Sequence, residues 1–180
     1  MPRYVAFLRA INVGGHVVKM DVLRAEFERL GFKNFETFIA SGNVIFETKS
    51  SAVAAIEARI EKALHARLGY EVATFVRTLE QVAAIARHQA FPAAAVATCG
   101  ALSVGMMKTT LPKPSQQALA GLKTEVDDFH VNGSELYWIC AVRQSDSKIS
   151  NAVFERVVRA KATFRGIKTM EKLAAKYPAR

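Results

Sequence analysis

Arg9, Asn12, Gly14, Gly15 and Lys19 occupy one short stretch, residues 9–19, and their types suit a single task. A guanidinium offers a planar fork of donors and an ammonium a point charge, and both match carboxylate or phosphate oxygens. Adjacent glycines let backbone N–H groups approach a ligand, and a helix starting just beyond them would add the positive end of its dipole. A second polar group, Ser41, Gly42 and Asn43, falls between two strand-like runs and suits a tight hairpin turn. In a split βαβ sheet the first two strands run parallel, so the loop leaving strand one and the turn after strand two share one end of the sheet. The expected chemistry is binding of a small anionic ligand by these eight residues. Neither a G-x-x-x-x-G-K-S/T loop nor a G-x-G-x-x-G fingerprint is present, so the loop is neither a P-loop nor a dinucleotide motif.

Other constellations carry less. His16, His65, His88 and His130 are isolated, and Cys99 and Cys140 form no C-x-x-C pair. No metal site and no cofactor are expected from such spacing. Ser145 and Lys148 have the spacing of a serine-lysine nucleophile motif without its companion elements, and Ser145, Asp146 or Ser147 reads better as a helix N-cap. Asp127 and Asp128 are neighbours in a strand-like run, so they face opposite ways. No acid-base dyad is visible, and the sequence assigns no catalysis.

Hydrophobic periodicity sets out the elements meant to position these residues. Residues 4–10 read as a strand, and a helix follows with Asp21 as N-cap, Leu23, Phe27 and Leu30 at helical spacing, and Gly31 as stop. Residues 34–40 and 44–46 read as a hairpin, 51–68 as a second helix ending at Gly69, and 70–76 as a fourth strand. The order is βαββαβ. Thr78-x-x-Gln81 is a capping box opening a connecting helix to about His88, and 91–100 reads as a linker. The order then restarts, with a strand at 101–107, a helix at 115–123, a hairpin at 127–141, a helix at 147–160 and a short strand at 163–165 before a last helix. The expectation is an α+β protein of two ferredoxin-like halves, 1–77 and 101–180, the second degenerate, with 78–100 between them and a helix at the C-terminal end.

The chain of 180 residues carries a net charge of +9 and is 51% hydrophobic, which excludes collagen-like, coiled-coil and disordered classes. Ten basic and three acidic residues fall in 143–180, with Lys168, Lys172 and Lys176 in one helical row. That face supports two readings, a solvated surface or non-specific nucleic-acid binding. An RNA-recognition strand would need stacking aromatics, whereas 43–47 offers Phe46 beside Glu47. A third reading is an interaction protein without catalysis. The N-terminal apolar stretch is interrupted by Arg9 and no run reads as a spanning helix. With two lone cysteines, a cytoplasmic protein is expected.

Several strings carry a family resemblance. Residues 8–15 (LRAINVGG), Val18-Lys19-Met20 and residues 41–46 (SGNVIF) resemble signature blocks of the bacterial family catalogued as domain of unknown function 1697. The resemblance implies two ferredoxin-like halves in a cytoplasmic bacterial protein, and it implies no activity. The family's closing block, Thr-x-Arg-Asn-Trp-x-Thr, is similar to residues 163–169 and adds Arg165 and Thr169 to the candidate site. Gly166 stands where the block has Asn, Ile167 where it has Trp, and Ala90-Phe91 replaces a Pro-Phe pair.

Overall fold

The computed structural model describes residues 1–12 and 14–179, with the side chain of Ser41 left aside; Val13 and Arg180 lie outside it. The chain forms two compact units, Met1–Ala84 with Lys172–Arg180, and Ile85–Glu171. Each holds a four-stranded antiparallel sheet, which makes the protein α+β.

Unit 1 contains β1 (Arg3–Leu8), α1 (Met20–Arg29), β2 (Lys33–Phe38), β3 (Ala40–Glu47), α2 (Val53–Leu68) and β4 (Thr74–Thr78). Its sheet order is β2-β3-β1-β4. Alternation along the strands sends Tyr4, Ala6, Leu8, Val44, Phe46 and Val76 into one core with Leu23 and Phe27 of α1 and Ile56, Ile60 and Leu64 of α2. Phe27 packs edge-on against Phe32, Phe35 and Phe46. β4 is an edge strand, so its outward N–H groups have no strand partner. Helix α2 supplies acceptors instead: the N–H of Thr74 donates to Glu61 Oε1 and that of Val76 to Glu57 Oε1, both at 2.9 Å.

α3 (Leu79–Arg87) follows β4 without a break and crosses from unit 1 into unit 2. Unit 2 contains α4 (Ala93–Thr98), β5 (Ala101–Met106), α5 (Lys113–Ala120), β6 (Asp127–Asn132), β7 (Glu135–Cys140), a 3-10 turn (Gln144–Asp146), α6 (Asn151–Val158), β8 (Thr163–Gly166) and the start of α7 (Ile167–Lys176). The order β6-β7-β5-β8 repeats that of unit 1, strand for strand. Leu119, Leu136, Phe154 and Val158 centre its core. Gly105 permits close packing here, because a Cβ would come within 2.8 Å of the Phe164 ring.

Several boundaries depart from the sequence expectation. The fourth strand begins at Thr74, not residue 70, because pairing with β1 starts at Leu8 opposite Thr74. Residues 91–100, read as a linker, include α4, which begins after Pro92 in an alanine run of high helix propensity. Lys19, not Asp21, is the N-cap residue of α1, and Asp21 sits in its first turn, where a carboxylate suits the helix dipole. The helix expected at 147–160 is shorter, α6 at Asn151–Val158, and the 3-10 turn at Gln144–Asp146 precedes it. Ser150 is the N-cap, accepting from the Val153 N–H at 3.2 Å, and Arg159 at φ 55° closes the helix. The capping box forms as expected, with Thr78 and Gln81 exchanging hydrogen bonds of 2.9 and 3.2 Å.

Candidate functional site

The first strand-helix loop turns sharply after β1. The Arg9 N–H still pairs with the Ala73 carbonyl at 2.9 Å, and Ala10 then adopts φ 54°, which swings the chain away from the sheet. Buried Ile11 anchors the loop, and its carbonyl accepts from Tyr70 Oη at 3.2 Å. Asn12 Oδ1 accepts from the Val18 N–H at 2.8 Å, bridging the loop across its base. Gly14 and Gly15 lie at φ +64° and +84° with open space where a Cβ would stand, so the backbone conformation selects glycine there. His16 stacks on the Tyr70 ring at 3.9 Å between centroids. Lys19 is exposed at the start of α1, and Arg9 is half-buried at the end of β1.

Phe7 pairs with Asn43, so Arg9 lies at the same end of the sheet as the second polar group, as the strand directions require. That group is not a turn, however. The connection is the single residue Ile39 at φ 64°, with Phe38 paired to Ala40, and Ser41, Gly42 and Asn43 belong to β3. A register shift between Thr37 and Phe38 absorbs the tight bend. Asn43 is 1% exposed and its Nδ2 donates to the Phe38 carbonyl at 3.0 Å. Two amides expected to read a ligand therefore hold the backbone: Asn12 the loop and Asn43 the hairpin. The side chain of Ser41 lies outside the described residues.

Arg165 and Thr169 belong to unit 2 and are both half-buried. Arg165 pairs in register with Val104, and its Nη1 donates to Thr163 Oγ1 at 2.8 Å and to the Phe164 carbonyl at 2.9 Å. Burial brings its pKa down to about 10. Arg77 holds the matching place in unit 1, opposite Val5, 4% exposed, with Nη1 on the Val76 carbonyl. Sequence reasoning passed over Arg77, although both arginines sit on the fourth strand of their sheet and precede a helix start by two residues. Gly166 next to Arg165 has open space beyond its Cα.

Two clusters appear only in the fold. Asp127, 2% exposed, accepts from Trp138 Nε1 at 2.8 Å, Thr124 Oγ1 at 2.7 Å and Ser147 Oγ at 2.9 Å. Burial acts to raise the pKa of this carboxyl, but the hydrogen bonds together outweigh it and hold it below the usual range. Ser147 is thus a tether between the 3-10 turn and the sheet. Asp128 faces the other way and pairs with Lys123. In the second cluster His88 and His130 approach with Nε2 atoms 3.2 Å apart beside the Tyr137 ring. Tyr137 Oη donates to the Ile85 carbonyl, fastening the end of α3 to unit 2. Cys99 and Cys140 are free thiols, and among the described residues no group of three or more His, Cys, Asp or Glu could hold a metal ion. Nor is any described helix long and apolar enough to cross a membrane.

The sequence profile of the family described as "Protein of unknown function (DUF1697)" matches residues 1–137. The chain belongs to this family. The match spans the 9–19 loop, β3 and the Asp127 cluster as far as Tyr137, while Arg165 and Thr169 lie beyond it. Among solved structures, this DUF1697 chain is similar to the conserved bacterial protein SP0830 from Streptococcus pneumoniae. The TM-score is 0.70 at 22% identity, and the alignment covers 99% of each chain. That likeness is one of fold. No curated protein matches the chain.

Proposed function

We propose that the protein binds a small anionic ligand, a phosphate or carboxylate, at the 9–19 loop of unit 1. The observation carrying this reading is a difference between equivalent connections. The step from first strand to first helix takes eleven residues, 9–19, in unit 1 and six, 107–112, in unit 2. The fold is thus made with the shorter loop, which has an exposed lysine of its own, Lys108, and the longer one adds two left-handed glycines and a half-buried arginine. Arg9 and Lys19 supply the charge and the loop N–H groups the directional donors, with Gly42 of β3 at the same end of the sheet. Asn12 and Asn43 shape the site through the backbone. The matching strand orders support a tandem ferredoxin-like fold with repeats at 1–77 and 101–180 joined through 78–100, and the reading is of a cytoplasmic binding protein with no catalytic step assigned.

Calorimetry with inorganic phosphate and with acetate tests it. Arg9→Ala and Lys19→Ala should each weaken binding about tenfold or more while leaving the thermal midpoint within about 2 °C. Unchanged affinity in Arg9→Ala overturns the site. A nucleic-acid reading is less favoured, since Lys168 pairs with Glu171 and Lys176 with Glu36, which reduces the basic row on α7. Labelled single-stranded RNA should therefore show no salt-dependent binding that Lys172→Ala weakens.

A further inference from the structure

Unit 2 contains a cavity of about 850 Å³, within the range of small-molecule sites. Phe91, Val96, Leu102 and Ile167 form its apolar walls. Its polar wall includes Ser103, whose hydroxyl accepts from Gln144 Nε2 at 2.9 Å, and Arg87 at the end of α3. Of the charged groups lining the cavity, Lys168 and Glu171 pair with each other at 3.5 Å. Arg87 has no ion-pair partner among the described residues, so the wall carries one uncompensated positive charge.

Helix α4 forms one side of this cavity, and its own burial is unusual. Its six residues, AAAVAT, are apolar apart from the terminal threonine, yet none is buried. Val96 is 37% exposed. A helix this short is not stable in water through propensity alone and ordinarily depends on burying an apolar stripe. Ala93, Val96 and Ala97 line the large cavity, and Ala95 and Thr98 line a smaller one of about 320 Å³. The helix is therefore underpacked on both sides. Gly166, which also lines the cavity, leaves further room, since a Cβ there would meet nothing within 4 Å.

We propose that α4 is a lid over a binding site for a small amphipathic carboxylate. The hydrocarbon part lies between Val96 on the lid and Leu102 and Ile167 on the wall, supplying the apolar contact that α4 lacks. The carboxylate reaches the Arg87 guanidinium, whose planar fork suits it. This site is independent of the 9–19 loop, uses different residues and takes a ligand with an apolar body.

Calorimetric titration of the full chain with sodium octanoate, and with 1-octanol as an uncharged probe of the same length, tests the assignment. One saturable site for octanoate is expected. Gly166→Leu, which fills the open space, and Val96→Asp, on an exposed position, should each weaken it about tenfold or more with the thermal midpoint unchanged. Arg87→Gln should weaken octanoate by a similar factor and leave 1-octanol unaltered, and Arg9→Ala should change neither. Absence of saturable binding to the parent chain overturns the proposal, as does unchanged affinity in Val96→Asp. A concentration-dependent dimer abolished by Val96→Asp would assign the face to a second copy of the chain and equally overturn it.

Discussion

The two units solve the same topological problem with different chemistry. In unit 1 the core is a cluster of phenylalanines, and the edge strand β4 is satisfied by Glu57 and Glu61 of α2. In unit 2 Glu155 of α6 reaches the backbone just before β8, accepting from the Ala162 N–H at 3.2 Å. Glu36 of β2 pairs with Lys176 near the end of α7, where the strand register places His130 of β6 against His88 just past α3. Lys176 holds the Glu36 carboxyl below the usual carboxylate range. Topology is preserved wherever some polar pair or acceptor fills the position. What differs without structural need is the long glycine loop of unit 1 and the underpacked α4 of unit 2, and those are the places where function is assigned.

Single substitutions sharpen this comparison, and Trp138, the one tryptophan of the chain, reports on unit 2. The largest stability effect is expected for Asp127→Ala, which strands the buried Trp138 Nε1 and releases the partly exposed Thr124 and Ser147 hydroxyls and should cost about 3 kcal/mol, read as an earlier unfolding transition in Trp138 fluorescence. Gly105→Ala should cost about 2 kcal/mol through overpacking against Phe164, whereas Ala6, its counterpart in β1, is already accommodated; an equal thermal midpoint would show that the Phe164 ring yields freely. Asp127 also sets a pH limit. Its carboxyl is held below the ordinary range in the fold, so the stability it contributes is present above about pH 4 and is lost as pH falls through the lowered value. Asp127→Asn should flatten that acid limb in pH-dependent denaturation. The smallest effects are at the caps, where Thr78→Ala and Ser150→Ala should each cost about 1 kcal/mol in urea titrations.

Much of this was legible in the residues, for identifiable reasons. The capping box and the continuous apolar run of β1 are local signals, readable within a few positions. The clustering of Arg9 with Gly42 and Asn43 followed from strand direction alone. The hairpin did not follow, because Ser41-Gly42-Asn43 has turn composition while the bend falls on Ile39. There the pairing of Phe7 with Asn43 draws the polar residues into β3 and leaves a bulky apolar residue, 64% exposed, at the tip. Helix α4 was missed because alanines beside Pro92 and Gly100 carry no amphipathic stripe.

By itself the sequence determined most of the helices and strands and their repeated order, α4 and the start of β3 excepted, and the glycine loop whose positive φ angles no other residue type adopts as readily. Those are consequences of periodicity and backbone sterics, both readable within a few residues. The tertiary structure decided which polar groups are spent on holding the chain, Asn12, Asn43, Ser147 and Asp127 among them, and which face a cavity, as Arg87 does. It also brought His88 to His130 and Arg165 to Val104, contacts set by strand register and helix crossing. Such contacts join residues dozens of positions apart, and no local pattern encodes them.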